Sequence, residues 1–163
     1  MRRAHLTAAV LGVVVGLAAA AGADQATGRP LLVTVDDLPV AGGGLHTDAV
    51  ERARVTSDLL AVLAAHQVPA VGFVVLNQVK GDSDRALLER WLAAGHELGN
   101  HTAAHSDLAK VPLDAYLEDV ERGRAGLAEL LAPHGRAVRF FRYPYLREGE
   151  TETKLDAVRG ALQ

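Results

Sequence analysis

The sequence contains no cysteine, and this absence excludes several kinds of chemistry. Without cysteine the chain has no disulfide, no thiolate nucleophile or metal ligand, and no acylated cysteine to anchor it to a membrane. An excess of basic residues is absent too, because 17 lysines and arginines stand against 20 aspartates and glutamates. No basic patch suggests nucleic acid as a partner.

The chain also lacks an apolar run long enough to cross a membrane, although its N-terminus comes close to one. Arg2 and Arg3 precede an uncharged apolar stretch, residues 6–21, which ends in the small residues Ala21-Gly22-Ala23. This is the pattern of a secretory signal peptide. The alternative is a retained anchor, but a spanning helix needs roughly 20 apolar residues. We therefore expect residues 1–23 to be cleaved, leaving a periplasmic or secreted protein without stable membrane insertion.

Residues 24–163 remain after this cleavage, with 15 basic and 20 acidic residues and a net charge of −5. This length suffices for one domain with its own core. Apolar runs without alternation predict buried strands at residues 31–35, 70–76, 96–99 and 138–142. Amphipathic segments predict helices at residues 48–66, 83–95, 112–131 and 150–162. Strands that alternate with helices indicate parallel βαβ units and an α/β fold.

Residues able to carry out catalysis occur at the ends of three predicted strands. The carboxyl ends of parallel strands meet at one rim, where α/β enzymes place their active sites. Two imidazoles four residues apart can chelate one ion, and a carboxylate can complete the set. A second carboxylate would remain as a base, which is the minimum for metal-assisted hydrolysis. The residues are Asp36 and Asp37 after the first strand, His101 and His105 after the third, and Arg142 and Tyr145 at the fourth.

Three short segments resemble the motifs of the polysaccharide deacetylase (NodB-homology) family. Thr34-Val35-Asp36-Asp37-Leu38-Pro39 is similar to the family's first motif, Thr-Phe-Asp-Asp-Gly-Pro. His101-Thr102-Ala103-Ala104-His105 resembles the second, His-Ser/Thr-x-x-His, and Arg142-Tyr143-Pro144-Tyr145 resembles the third, Arg-x-Pro-Phe/Tyr. Val35 and Leu38 replace the usual Phe and Gly, so we expect a differently shaped first loop and an unusual substrate.

The resemblance implies a metal centre. Asp37, His101 and His105 would bind a divalent metal, which in this family is most often zinc, with Co²⁺ and Ni²⁺ as alternatives. These residue types suit such ions, because zinc binds imidazole nitrogens and carboxylate oxygens at about 2.0–2.2 Å.

The resemblance also implies catalytic roles. Asp36 would be the general base that takes a proton from the attacking water. Arg142 would keep Asp36 ionised and oriented, because an adjacent cation favours the charged form of a carboxylate. The Tyr145 backbone N–H would help to stabilise the tetrahedral oxyanion.

The fold that the resemblance implies is a distorted (β/α) barrel of about seven strands. The sequence predicts about four, so we expect an incomplete barrel and a partial deacetylase domain in residues 24–163. The family's later Leu-x-His motif supplies a general-acid histidine, but no histidine follows His134 in this sequence. His134 is expected at the opposite rim. We interpret the chain as the N-terminal part of such a deacetylase.

The resulting hypothesis is a metal-dependent hydrolase that acts on an amide bond. It would remove an N-acyl group, with acetyl the expected one, from an envelope or extracellular carbohydrate, which is the expected partner. One alternative is a non-catalytic remnant that binds metal or carbohydrate, and another is a hydrolase of non-sugar amides. The sequence does not indicate an oligomeric state.

Overall fold

A three-stranded parallel sheet forms the centre of the fold. The structure is a computed structural model that describes residues 31–42 and 44–163, so the predicted signal peptide lies outside the described residues. The strands are β1 (Val33–Leu38), β2 (Ala70–Val74) and β3 (Glu97–Asn100), and they lie side by side in that order. All pairings are parallel, which confirms the α/β class expected from the sequence.

β1 is irregular at the aspartate pair. Val35 is paired with Gly72 and Leu38 with Val74, so β1 has one residue more than β2 between these two pairs. An extra residue of this kind bends the strand and redirects its side chains. The strand thus includes Asp36 and Asp37 rather than ending before them, and the irregularity interrupts the strict alternation of side chains at these two carboxylates.

Four α-helices connect and cover the strands, close to their predicted positions. In α1 the Asp48 side chain caps the first turn by accepting hydrogen bonds from the N–H groups of Val50 and Glu51. Gly95 follows α2 with a φ of +86°, the left-handed conformation that glycine adopts readily after a helix. The helices are α1 (Ala49–Ala65), α2 (Asp82–Ala93), α3 (Leu113–Leu131) and α4 (Glu152–Ala161).

The prediction of a fourth strand at residues 138–142 was wrong, because these residues form an isolated bridge to β3 and not a strand. The Asn100 N–H donates to the Phe140 carbonyl at 2.8 Å, and the Arg142 N–H donates to the Asn100 carbonyl at 3.0 Å. The ladder stops there because β3 ends at Asn100, whose side-chain oxygen accepts the Thr102 N–H and supports a turn of the chain. The described part of the chain therefore has three strands, not four.

Two apolar clusters hold the helices in place. The larger one lies between the sheet and the helices and contains the fully buried Trp91, Leu88 and Leu98. The smaller one joins the segment after the second histidine to α3 and α4 through Leu108 and Val158. Among the described residues, no helix has the length and apolar character needed to span a bilayer.

Candidate metal centre

Three side chains from two segments meet at the carboxyl rim of the sheet. Asp37 lies on β1, and His101 and His105 lie in the loop that follows β3. The Asp37 Oδ1 atom is 3.1 Å from His105 Nε2 and 3.9 Å from His101 Nε2. Neighbouring ligands of a tetrahedral metal with bonds of 2.0–2.2 Å lie about 3.4 Å apart. The three ligand atoms all lie within 4.8 Å of one another, so they are close enough to surround one divalent ion.

The ring of His101 is oriented for ligation. Its Nδ1 lies 2.8 Å from the Arg142 carbonyl oxygen, which can only accept a hydrogen bond, so Nδ1 carries the proton. The lone pair of the neutral ring is then on Nε2, the atom that faces Asp37. Burial lowers the pKa of His101, although the hydrogen bond to the Arg142 carbonyl opposes this shift. A metal binds a neutral imidazole through its free lone pair, so both this tautomer and the lowered pKa of His101 favour ligation.

The Asp37 carboxylate supplies the test of whether these residues fit a cation. Its Oδ1 atom is buried, and no donor in the described part of the chain satisfies it with hydrogen-bond geometry. A buried carboxylate oxygen without a partner is costly. A divalent ion between Asp37 and the two imidazoles would remove this cost, so the residues present fit the metal that the family resemblance implies.

Strained backbone is concentrated at this rim. Among the described residues six non-glycine residues have a positive φ, and five of them lie in or next to the three motifs. Asp37 has a φ of 61°, His105 of 58° and Tyr145 of 58°. For residues with a Cβ this conformation costs roughly 1–2 kcal/mol and persists where the surroundings enforce it. Such strain is typical of functional sites. The remaining residues with a positive φ are Thr102 in the second motif, Leu146 directly after the third motif, and Gln67, which lies outside the motifs.

Asp36 and Arg142 form the pair that the sequence predicts. An Arg142 guanidinium nitrogen lies 3.3 Å from Asp36 Oδ1 and 3.5 Å from Oδ2. The guanidinium carbon is 4.7 Å from the centre of the Phe73 ring, which limits its movement. Since the Arg142 carbonyl also accepts from His101, one residue orients both the proposed base and a proposed ligand.

Tyr145 lies directly beside the histidines. Its ring packs edge-on against His105 with 4.6 Å between ring centres, and its side chain is 58% exposed. Pro144 before it is buried and fixes the turn that carries the Tyr145 N–H. All six predicted site residues therefore lie at one rim, where their roles remain predictions.

His134 is not part of this cluster. His134 lies directly after α3, at the start of the segment that leads to Arg142. Its Nε2 atom is 2.7 Å from a carboxylate oxygen of Glu89 in α2. This agrees with its expected place at the opposite rim.

Sequence reasoning did not identify three residues that support the site: Asn100, Thr102 and Asp119. The Thr102 hydroxyl accepts the His105 N–H at 2.9 Å. Asp119 is only 1% exposed although it is charged. A signal was present, because Asp119 falls on the same face of the helix as Tyr116, Gly123 and Leu127, where an acidic residue is unusual.

A family model and curated relatives match most of this chain. The family model for polysaccharide deacetylase matches residues 23–160. A chitooligosaccharide deacetylase of Rhizobium leguminosarum bv. phaseoli is 35% identical over 123 residues, which cover 69% of this chain and 48% of the relative. The chain spans less than half the length of the chitooligosaccharide deacetylases that it matches.

Two solved structures show a similar fold. A peptidoglycan N-acetylglucosamine deacetylase superimposes with a TM-score of 0.61 at 26% identity, covering 80% of this chain and 53% of the other. A family 4 acetyl xylan esterase from Clostridium thermocellum, in complex with a cobalt ion, superimposes with a TM-score of 0.54 at 26% identity, covering 77% of this chain and 53% of the other.

Proposed function

Because the chain belongs to the polysaccharide deacetylase family, we propose that it contributes a metal-dependent hydrolase site that removes an N-acetyl group from a carbohydrate. The observation that carries the proposal is the meeting of Asp37, His101 and His105 around a carboxylate oxygen that has no hydrogen-bond donor among the described residues, with Asp36 adjacent to Asp37 in the chain. The relatives named above include deacetylases of chitooligosaccharides and of peptidoglycan N-acetylglucosamine. We propose the same class of N-acetylated carbohydrate as the substrate here.

Asp37, His101 and His105 would hold the ion in this proposal. Zinc suits two imidazoles and one carboxylate with an open position, and cobalt and nickel suit the same donors. A divalent metal bound there would polarise the amide carbonyl and lower the pKa of water towards ~7.

Asp36 would accept the proton of the attacking water. Its carboxylate is close to the ion site along the chain but is paired with Arg142 at 3.3 Å instead of with the histidines. The guanidinium contacts both Asp36 carboxylate oxygens and so orients the proposed base beside the ion site. The backbone N–H of Tyr145, next to His105, would donate to the oxyanion that develops on the substrate.

We place the reaction outside the cytoplasm, on the basis of the signal-peptide pattern in residues 1–23. Expression in a bacterium with a periplasm, followed by N-terminal sequencing, tests this placement. A mature N-terminus shortly after Ala23 in the periplasmic fraction is expected, whereas an intact Met1 in the cytoplasm would contradict it.

The activity is tested with the zinc-loaded chain and N-acetylated chito-oligosaccharides, by measuring released acetate. Asp36→Asn should lower kcat by about 10²–10⁴ while zinc binding is retained, since the carboxylate acts on protons. Asp58→Asn is the matched control, because Asp58 is 66% exposed and pairs with Arg54 on the surface of α1. Stoichiometric zinc without turnover above the metal-free control would reject catalysis and leave a metal-binding protein. Faster release from aryl acetamides than from chito-oligosaccharides would instead indicate a non-sugar amide as substrate.

A further inference from the structure

The loop between the two histidines is hydrogen-bonded to one residue of α3. The Asp119 carboxylate accepts the Ala104 N–H at 2.9 Å and the Ser106 N–H at 3.4 Å. The Asp119 backbone carbonyl accepts the Ala103 N–H at 3.0 Å. One helical residue therefore binds three of the four residues from 103 to 106, on both sides of His105.

Asp119 is suited to this task because it stays ionised in the interior. Burial would raise the pKa of Asp119, but hydrogen bonds from Arg122, from the loop hydroxyls and from the Ala104 N–H outweigh this effect and lower it. Arg122 reaches the carboxylate from the surface, at 3.0 Å. An ionised carboxylate accepts several N–H groups at once, which a neutral side chain cannot do as well.

The next turn of α3 lies against the same loop. The Asn100 side-chain amide donates to the Val120 carbonyl at 2.9 Å, and its oxygen accepts the Thr102 N–H at 2.9 Å. Gly123 makes this close packing feasible, since a Cβ added there would lie 2.3 Å from Asn100 Oδ1 and 2.7 Å from the Thr102 carbonyl carbon. Any larger residue would have to push the start of the loop away from the helix.

We infer that the face of α3 formed by Asp119, Val120 and Gly123 sets the geometry of the metal centre. Asp119 and Gly123 are positioning residues: they contact the backbone and Asn100, and they act on His101 and His105 through the loop. The inference rests on the proposed metal-dependent function. It adds that metal affinity depends on a helix that supplies no ligand.

The test is the zinc affinity of single variants, measured by competition with a chromophoric chelator. Asp119→Asn places an NH₂ group where a loop N–H needs an acceptor, so zinc should bind about tenfold more weakly, as expected when the groups that orient ligands are lost. Asp114→Asn is its control, because Asp114 is exposed in the first turn of the same helix. Zinc affinity of this control should stay within about twofold of the wild type.

A second pair of variants serves as an independent measurement and covers the case in which Asp119→Asn does not fold. Gly123→Ala should weaken zinc binding about tenfold or more, because the new Cβ displaces the loop. Gly160→Ala is its control: Gly160 also lies in a helix, α4, and a Cβ there meets no atom within 4 Å among the described residues. Wild-type affinity in both Asp119→Asn and Gly123→Ala, with loss of binding in His105→Ala, would overturn the inference.

Amide hydrogen exchange of the metal-free chain separates this inference from the proposed function. If the wild type binds no zinc, the proposed function fails, and the exchange rates then decide the inference. Faster exchange of the Ala104 and Ser106 amides in Asp119→Asn, with unchanged exchange in the core strands, supports positioning by α3. Unchanged exchange at these two amides, or equal acceleration throughout the chain, contradicts it.

Discussion

At the scale of single residues, Arg142 connects the proposed base with a proposed ligand. Its guanidinium pairs with Asp36, and its carbonyl accepts from His101. Arg142→Lys keeps a positive charge but loses the planar group that lies over Phe73 and contacts both carboxylate oxygens. We expect kcat to fall by about tenfold or more with zinc affinity nearly unchanged, because only the orientation of the base is lost.

Arg139→Lys is a matched control for this variant. Arg139 also combines a carboxylate partner, Glu97 at 2.8 Å, with an aromatic ring, Phe140 at 5.3 Å, but its side chain is 61% exposed. Its kcat should stay within about twofold of the wild type, as for other exposed ion pairs. An equal loss of kcat in both lysine variants would show that the effect of Arg142 is general and not specific to Asp36.

His96 predicts a dependence of stability on pH. It is 6% exposed, and neither ring nitrogen has a hydrogen-bond partner among the described residues. Burial lowers the pKa of His96 below 6.5, so as pH falls below about 6.5 the unfolded chain takes up a proton that the folded chain resists. The free energy of unfolding should therefore decrease with falling pH until the folded-state pKa is reached.

His96→Leu should remove this contribution. Urea unfolding at pH values from 7.5 to 5 measures it: the variant should gain stability relative to the wild type as pH falls, by at most ~1.4 kcal/mol per pH unit. In the metal-free chain, the lowered pKa of His101 also makes the free energy of unfolding decrease as pH falls. This contribution is common to the wild type and to His96→Leu, so it cancels in the comparison. His66→Gln, at the exposed end of α1, is the control. Parallel stability curves for wild type and His96→Leu would refute the assignment.

At the scale of elements, the Asp48 side chain caps the first turn of α1 and so determines where this helix begins. Asp48→Ala leaves the N–H groups of Val50 and Glu51 without their acceptor, which should lower the free energy of unfolding by about 1 kcal/mol. Asp58→Ala in the same helix removes an exposed pair with Arg54 and should cost less than ~0.5 kcal/mol. Denaturant titration checks both, and a cost for Asp58→Ala equal to that for Asp48→Ala would argue against capping.

The elements also show what could be predicted from the sequence. Helix α2 followed from its apolar spacing and from Gly95, because both signals are local. The prediction of a strand at residues 138–142 was wrong, because the pairing of this segment depends on where β3 ends. β3 ends at Asn100, whose side chain is hydrogen-bonded to α3. The candidate site residues could be selected from the sequence because their motifs are short and contiguous, although their roles remain predictions. Asp119 was not, because its partners lie 13 to 16 residues earlier in the chain and are backbone groups.

At the scale of the whole molecule, the proposed ion site joins parts of the chain that are far apart in sequence. Asp37 is separated from His101 by most of two βα units, and His101 is held by the carbonyl of Arg142 a further 41 residues along. A ligand that binds only the folded state stabilises it in proportion to the logarithm of its concentration over Kd. At 100 times Kd, zinc should add about 2.7 kcal/mol, or roughly 10 °C in Tm.

Thermal unfolding with and without zinc checks this coupling, and Asp37→Asn is the informative variant. Asparagine tolerates the φ of 61° at this position better than alanine would, so the fold is retained while the charged ligand is lost. The increase in Tm on adding zinc should then shrink to a small fraction of the wild-type increase, whereas Asp58→Asn should keep it. An equal increase in Asp37→Asn would mean that zinc stabilises the fold from another place, and the ligand set would have to be abandoned. Loss of the increase in Asp37→Asn alone would show that the stability of the sheet and the occupancy of its rim are linked through this carboxylate.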